Sequence, residues 1–143
     1  VTLTSKGRFA LGAGGLPLLG LIPAGPLAEA VAEADEILAP KDVLPWKEGD
    51  FLLRVKGDSM EGDGILDGDM VLLRPEVSWQ QGEIAAVLVG EDHETTLKRV
   101  FRQDELITLR AANPRYADRT VPAETVKIAG VFRGLVRHAR GGY

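Results

Sequence analysis

The residues of this chain with the clearest chemical potential are one serine, one lysine and a pair of small residues. Ser59 lies in the sequence Gly-Asp-Ser-Met, Lys98 lies in Thr-Leu-Lys-Arg, and Ala24-Gly25 lies upstream of both. A serine hydroxyl becomes a nucleophile when a base takes its proton, and a deprotonated lysine can be that base, as in the Ser-Lys variants of serine catalysis. An Ala-Gly bond is sterically open to attack. Together these features are what a chain needs in order to cut itself.

The composition gives little support to competing chemistries. The chain has no cysteine, which excludes disulfides and thiolate metal sites, and it has only two histidines. His93 lies in a polar turn and His138 near the basic C-terminus, so neither is placed as the buried, oriented base of a Ser-His pair. There is no His/Cys cluster and no phosphate-cradling loop, and we therefore expect no metal and no organic cofactor. The lack of cysteine suits the reducing cytoplasm, where we expect the protein to act.

Length and charge indicate one acidic domain. A chain of 143 residues can bury a real core, and its hydrophobic share of 45% and charged share of 27% are ordinary for a globular protein. Seventeen Lys and Arg against 21 Asp and Glu give a net charge of −4. An acidic chain without a continuous row of Lys and Arg residues is poorly suited to bind the phosphates of DNA. We therefore expect DNA to be bound by another part of a longer protein. The start at Val1 suggests a fragment or processed product, and no segment is long enough to span a bilayer.

Glycine, proline and aspartate divide the chain into short apolar segments. We predict a linker over residues 1–15 and a folded domain over 16–143, with an extended, turning segment around Ala24-Gly25 at 16–27. Residues 27–38 could form one short helix. A turn is predicted at Asp67-Gly68-Asp69 and a hairpin loop at 90–94. Strands are predicted over residues 51–55, 70–73, 84–89, 95–101, 106–109 and 126–136. The fold class that follows is mostly β, with antiparallel strands and little helix.

Both reactive residues also have ordinary structural interpretations. Ser59 could be a helix N-cap, because it precedes a short turn with Glu61 nearby. Lys98 shares one face of its strand with Thr96 and could be a charge that protects a sheet edge. If Lys98 is buried instead, desolvation lowers its pKa and makes it a usable base. Moving that pKa from about 10.4 to neutrality requires roughly 4–5 kcal/mol, which suits a site that becomes dry only when an apolar segment closes over it.

Taken together, these segments resemble the LexA repressor family and its self-cleaving relatives, the phage repressors and the UmuD-type polymerase accessory proteins. The resemblance covers residues 16–137 in matching order. The family's hinge and cleavage segment is similar to residues 16–20 with Ala24-Gly25. The strand that leads to the family's nucleophile is similar to residues 51–60, and the turn that follows it to residues 67–69. The strand that bears the family's lysine is similar to residues 96–99. Each part is weak by itself, but the combination is specific.

The resemblance implies a fold and a set of roles. The fold would be the LexA/signal-peptidase-like β fold. Ser59 would be the nucleophile, Lys98 the general base and then acid, and Ala24-Gly25 the scissile bond. The oxyanion would be bound by backbone N–H groups near Asp58 and Ser59. Pro23 and Pro26 bracket the scissile pair and remove two N–H donors from any strand pairing there.

The resemblance also implies partners. The protein would be a homodimer, formed through residues 131–136, and a RecA filament on single-stranded DNA would trigger cleavage and derepress the genes of the SOS DNA-damage response. The family's N-terminal winged-helix domain is absent from this sequence, so we expect operator DNA to be bound only through that domain. No membrane partner is implied.

Other functions share some of these features. A UmuD-type subunit would bind a translesion polymerase, and a phage repressor would use the same chemistry. A catalytically idle dimerisation domain would keep Ser59 as a cap and Lys98 as an edge charge. A signal-peptidase-like enzyme would act on other proteins, but no membrane anchor is visible. The Ala-Gly bond and the Leu-Pro-Leu-Leu-Gly run at 16–20 favour the repressor.

Overall fold

The computed structural model describes residues 15–18, 36–75, 78–91 and 95–139, and the chain divides into two compact units, residues 1–46 and 47–143. In the first unit, strand β1 (Leu16–Leu18) pairs antiparallel with β2 (Glu36–Leu38). One helical turn, α1 (Pro40–Val43), follows. It starts with a proline, whose fixed φ and missing N–H suit the first helical position.

The second unit contains one seven-stranded antiparallel sheet. Its strands are β3 (Phe51–Arg54), β4 (Met70–Arg74), β5 (Ile84–Val89), β6 (Thr96–Gln103), β7 (Leu106–Arg110), β8 (Arg119–Pro122) and β9 (Val126–Val136). Across the sheet they follow the order β3-β4-β9-β5-β6-β7-β8. Two short 3-10 turns, Glu61–Asp63 and Ala123–Thr125, are the only helical segments among the described residues of this unit. The predicted fold class, mostly antiparallel β with little helix, is confirmed.

The core consists of two buried clusters on opposite faces of β5. Successive side chains of a strand point to opposite faces, and Ala85 and Val87 belong to one cluster while Ala86 belongs to the other. The first cluster is completed by Val89, Val100, Ile107 and Leu109, and the second by Met60, Ile65, Val71 and Leu73. Because both faces of β5 are covered, its sequence is a continuous apolar run and not an alternating one.

Strand β9 lies near the middle of the sheet and joins its two halves. Its C-terminal part pairs with β4 and its N-terminal part with β5, both antiparallel. Gly130 is required at the centre of this strand, since a Cβ there would lie 2.9 Å from the Leu73 Cβ and 3.2 Å from the Phe51 ring. The absence of a side chain therefore lets the two neighbouring residues pack onto the β9 backbone.

Most predicted elements lie where the sequence placed them. The six predicted strands correspond to β3, β4, β5, β6, β7 and β9, and the turn before β4 contains Gly68 with φ of +89°. The predicted helix over residues 27–38 is wrong at its end, because residues 36–38 form β2. A short apolar segment fits either structure, and pairing with β1 decides for a strand. Residues 27–35, most of the loop at 90–94 and nearly all of the linker lie outside the described residues. The domain boundary at residue 15 stays a prediction.

Strand β8 was not predicted, because its sequence Arg-Thr-Val-Pro is polar and ends in proline. Such residues are tolerated at a sheet edge, where one side of the backbone needs no partner strand. The position of β8 at the outer edge, next to β7, agrees with that rule.

The turn before β4 is tied to the residue after β9 by a buried carboxylate. Asp69 is 1% exposed and accepts hydrogen bonds from Arg137 Nε at 2.7 Å and Nη2 at 2.6 Å. The Leu66 N–H also donates to this carboxylate, at 2.8 Å. The hydrogen bonds from Arg137 hold the pKa of Asp69 below its ordinary value. Asp69 thus stays ionised in the core because the Arg137 guanidinium compensates its charge.

Replacing Arg137 by methionine should destabilise the domain, because Asp69 would remain buried without its cation. Loss of one partner of a buried pair costs about 3–5 kcal/mol, and we expect the lower end because Arg137 is 44% exposed. Because the pKa of Asp69 is lower in the folded than in the unfolded state, the ion pair stabilises the parent fully above the ordinary aspartate pKa. This stabilisation is lost as the pH falls from there through the folded-state pKa. The difference between parent and variant should therefore shrink below about pH 4.

Urea unfolding at several pH values measures this difference. Arg110→Met is the matched control, since it removes the exposed ion pair with Asp118. Equal losses in both variants, or a difference that does not change with pH, would contradict the assigned role of Asp69.

Candidate active site

Ser59 lies in a turn between β3 and the 3-10 turn Glu61–Asp63, and this turn is fixed on both sides of the serine. On one side Gly57 has φ of +93°, a conformation that favours glycine, and its N–H donates to the Asp67 carboxylate at 2.7 Å. On the other side Met60 is 2% exposed and packs in the second cluster. Ser59 itself is half-buried, so its hydroxyl is held in place without being enclosed.

Lys98 comes to the same place from strand β6, where it pairs with Ala85 of β5. Its Nζ lies 3.0 Å from Ser59 Oγ, although the two residues are 39 positions apart. The same Nζ donates to Thr96 Oγ1 at 2.9 Å and to the Leu97 carbonyl at 3.1 Å. Three acceptors therefore surround an ammonium group that has three protons to donate.

Burial changes the acidity of this lysine. Lys98 is half-buried, and desolvation lowers its pKa below the ordinary lysine value, because removal from water disfavours the charged form. No described carboxylate forms an ion pair with it that would oppose this shift. The structure thus brings a hydroxyl and an amine of lowered pKa within hydrogen-bonding distance, which is the arrangement that a serine nucleophile and a lysine base require.

The two structural alternatives for these residues are not observed. The 3-10 turn that follows Ser59 has Met60 as its N-cap and no side-chain cap, so the interpretation of Ser59 as a cap is wrong. Lys98 lies on a strand between β5 and β7 and is half-buried, so it is not a charge on an exposed sheet edge.

A cleft of about 540 Å³ opens beside Ser59. Its apolar lining includes Leu53, Val55, Met60, Val71, Leu73, Ala86 and Leu97, and its polar lining includes Ser59, Thr96, Arg54 and Lys56. Ligand pockets commonly combine apolar side chains with a few placed polar groups in this way. This cleft has room for small apolar side chains next to the serine hydroxyl.

The loop between β7 and β8 supports the nucleophile turn through Asp58. The Asp58 carboxylate accepts hydrogen bonds from the Tyr116 hydroxyl and the Arg115 guanidinium. The bond from Tyr116, together with the charge of Arg115, lowers the pKa of Asp58, and the same bond raises the pKa of Tyr116. In addition, Asn113 Nδ2 donates to the Asp58 carbonyl at 2.9 Å. The residue before Ser59 is thus held by both its side chain and its backbone.

Two further contacts fix the segment after Ser59. The Gly62 N–H donates to the Ala112 carbonyl at 2.6 Å, and a Cβ at Gly62 would lie 2.5 Å from that oxygen, so only glycine fits. Arg99 of β6 donates to both oxygens of the Asp63 carboxylate, each at 2.9 Å. Since Arg99 follows Lys98 in the chain, this bidentate pair ties the serine turn to the strand that carries the lysine.

The sequence predicted part of this site. Ser59 and Lys98 are brought together, whereas Ala24 and Gly25 lie outside the described residues. The sequence pattern puts Thr96 on the same strand face as Lys98 but gives it no role. It does not predict that the loop at 111–116 supports the serine turn, because the Asn-Pro pair at residue 113 indicates only a turn. No group of three or more His, Cys, Asp or Glu residues that could hold a metal ion occurs in the described residues, nor does a helix long and apolar enough to cross a membrane.

The fold and the site together have the features of a serine peptidase that uses lysine in place of histidine. Comparison with known proteins gives the family. A family model described as Peptidase S24-like matches residues 17–133, and the chain belongs to this family.

The chain is similar to several LexA repressors. It is 43% identical to that of Deinococcus radiodurans over 136 residues, which cover 94% of this chain and 64% of the relative. It is 40% identical to that of Syntrophotalea carbinolica over 126 residues, or 87% and 61% of the two chains. It is 43% identical to that of Gluconacetobacter diazotrophicus over 123 residues, or 85% and 48%. The chain thus spans about half to two thirds of these relatives, and the resemblance to the LexA family is confirmed.

Thr96 should influence the titration of Lys98, because its hydroxyl accepts a hydrogen bond from the ammonium. In Thr96→Val a methyl group replaces this acceptor, so the charged form loses a partner and we expect the pKa of Lys98 to fall further. Thr96→Ser keeps the hydroxyl and should keep the parent pKa. NMR titration of the Lys98 side chain measures both variants. A rise of this pKa in Thr96→Val would show that the hydroxyl does not stabilise the ammonium.

Proposed function

We propose that this chain is the self-cleaving domain of a LexA-type transcriptional repressor, and that it cuts its own Ala24–Gly25 bond. The observation that carries the proposal is the 3.0 Å contact between Ser59 Oγ and Lys98 Nζ, made by an amine whose pKa is lowered by burial. The identity to LexA repressors over most of the chain supports the same conclusion.

The first step is attack on the scissile bond. Neutral Lys98 accepts the proton of the Ser59 hydroxyl, and Oγ forms a bond to the carbonyl carbon of Ala24. The negative charge that develops on the Ala24 oxygen is stabilised by backbone N–H groups near Asp58 and Ser59, the usual device for a tetrahedral oxyanion. Because nucleophile and substrate belong to one chain, the attack needs no separate binding step.

The second step is release and hydrolysis. The Lys98 ammonium gives its proton to the Gly25 nitrogen, the Ala24–Gly25 bond breaks, and Ala24 remains as an ester on Ser59. A water molecule then attacks this ester while Lys98 again acts as the base, and Ser59 recovers its proton. Lys98 is thus base and acid in turn, a role that requires a pKa near the working pH.

The cleft supports this choice of substrate. Its lining includes seven apolar side chains beside a few polar ones, and the segment around Ala24-Gly25 contains apolar and small residues over 16–27. An apolar segment in the cleft would remove water from Lys98 and lower its pKa further.

The biological setting follows the LexA relatives. We propose that the protein represses genes of the SOS DNA-damage response in the cytoplasm, acts as a homodimer, and binds operator DNA through an N-terminal domain that lies outside this sequence. A RecA filament on single-stranded DNA would stimulate cleavage by favouring the conformation in which the cleavage segment occupies the cleft. Such an activator shifts a population and adds no new catalytic group.

Loss of the Ser59 hydroxyl should abolish self-cleavage. The parent chain, incubated folded at alkaline pH, should yield two fragments separated after Ala24, while Ser59→Ala stays whole because it has no nucleophile. Mass spectrometry of the products identifies the bond. Ser78→Ala is the matched control, since Ser78 is exposed and lies outside the site. A parent chain that stays whole, or a Ser59→Ala chain that is cut after Ala24, would reject the proposal.

The rate of cleavage should follow the titration of Lys98. Only the neutral amine accepts a proton, so the rate should rise with pH through the lowered pKa of Lys98 and level off above it. Lys98→Met should be inactive at every pH. First-order rates measured between neutral and alkaline pH, with circular dichroism to monitor folding, test this. A rate that falls as pH rises in a folded sample would contradict the role of Lys98 as base.

A further inference from the structure

We infer that Asn113 is a positioning residue that aims the Ser59 N–H into the cleft as the oxyanion donor. This inference rests on the proposed function and deepens it, because it names the group that orients the backbone around the nucleophile. The observation behind it is the hydrogen bond from Asn113 Nδ2 to the Asp58 carbonyl, 2.9 Å long, between residues 55 positions apart.

The geometry of the peptide bond links this contact to the nucleophile. The Asp58 carbonyl and the Ser59 N–H belong to the same peptide group, and in a trans peptide they point in opposite directions. Fixing the carbonyl towards Asn113 therefore fixes the N–H on the opposite side. The Glu61 N–H donates to the same carbonyl at 3.3 Å, so two donors hold this oxygen in one orientation.

The Ser59 N–H is left available by this arrangement. Among the backbone hydrogen bonds of the described residues, none is donated by Ser59. Ser59 is half-buried, and a backbone N–H that is removed from water without a partner is costly unless it meets a ligand. Next to a hydroxyl that lines the cleft, this donor is placed for the oxygen of a carbonyl under attack by Oγ.

Asn113 is itself held rigidly enough to orient another group. Its Oδ1 accepts the Arg115 N–H at 3.0 Å, and its backbone carbonyl accepts the Tyr116 N–H at 3.1 Å. The two ends of the side-chain amide thus have different partners. A flipped amide would bring its oxygen against the Asp58 carbonyl, so this network fixes the orientation of the amide.

The test compares two truncations of a side-chain amide in the full 143-residue chain. Asn113→Ala removes the donor to the Asp58 carbonyl. Gln81→Ala is the matched control: Gln81 also grips a backbone with both ends of its amide, donating to the Arg102 carbonyl at 2.6 Å and accepting the Arg102 N–H at 2.7 Å, but it lies outside the site. First-order rates of self-cleavage are measured across alkaline pH for both variants and the parent, together with their thermal unfolding.

We expect the plateau rate of Asn113→Ala to fall by about 10- to 100-fold. That is less than the about 10²–10³-fold loss for deleting a donor outright, because the N–H remains but is no longer aimed. The apparent pKa of the pH profile should stay at the parent value, since the surroundings of Lys98 are unchanged. Gln81→Ala should cleave at the parent rate. If Asn113→Ala does not fold, Asn113→Asp serves instead: it keeps the acceptor for the Arg115 N–H but replaces the donor by a carboxylate oxygen that repels the Asp58 carbonyl, so its plateau rate should fall as well.

Three results would overturn the inference. A folded Asn113→Ala or Asn113→Asp with the parent plateau rate would show that the carbonyl contact does not serve catalysis. A loss of rate accompanied by a rise of the apparent pKa towards that of free lysine would show that Asn113 supports the Ser-Lys pair and not the oxyanion donor. An equal loss of rate in Gln81→Ala would show a general effect of loosening the sheet. A parent chain that fails to cleave at all would instead reject the proposed function, and the inference with it.

Discussion

The whole site depends on one lysine amine that is partly removed from water and yet satisfied by hydrogen bonds. A fully solvated Lys98 would keep its ordinary pKa and stay protonated at neutral pH, and a fully buried one without partners would cost several kcal/mol. The structure lies between these limits. Desolvation lowers the pKa, while the oxygens of Ser59, Thr96 and Leu97 lie within 3.1 Å of Nζ and fix its position. The hydrogen bonds that offset the cost of burying the amine therefore also place it against the serine hydroxyl.

The two halves of this contact are held by different means. Lys98 is carried by a strand with neighbours in the sheet, so its backbone is fixed by regular pairing. Ser59 lies in a turn, which has no such pairing and needs contacts from elsewhere. Met60 anchors the turn in the core, Asp63 binds the arginine next to Lys98, and the loop at 111–116 holds Asp58. The turn is thus tied to the sheet at three points, and the Ser59–Lys98 distance depends on all of them.

The sequence predicted the strands and the reactive residues, which depend on local pattern and chemistry. It did not predict the contacts between distant segments, which depend on long-range packing. Strand β5 is a continuous apolar run and β9 is a long, mostly apolar segment, and Ser59 and Lys98 could be paired because their chemistry is complementary. Their separation of 3.0 Å, across 39 residues, could not be derived from sequence, because it depends on the path of the chain between them. Asn113 shows the same limit, since an Asn-Pro pair indicates a turn but not the carbonyl that its amide contacts. The error at residues 36–38 has the same origin, because a partner strand decided the structure of a segment with ambiguous pattern.

Under the proposed mechanism, the partial burial of Lys98 also explains how a self-cleaving protein can stay intact. With the cleft open to water, Lys98 is only half-buried, so its pKa is lowered less than it would be in a dry site. The charged amine therefore persists to a higher pH than it would with the cleft filled. An apolar segment that fills the cleft removes more water and favours the neutral amine, so substrate docking and activation of the base occur in one event. The rate then follows the population of the docked state, and a partner that stabilises this state accelerates cleavage in proportion, up to the rate of the docked chain itself. The same coupling makes each residue that orients the nucleophile turn effective only while the cleft is filled, because the oxyanion exists only then.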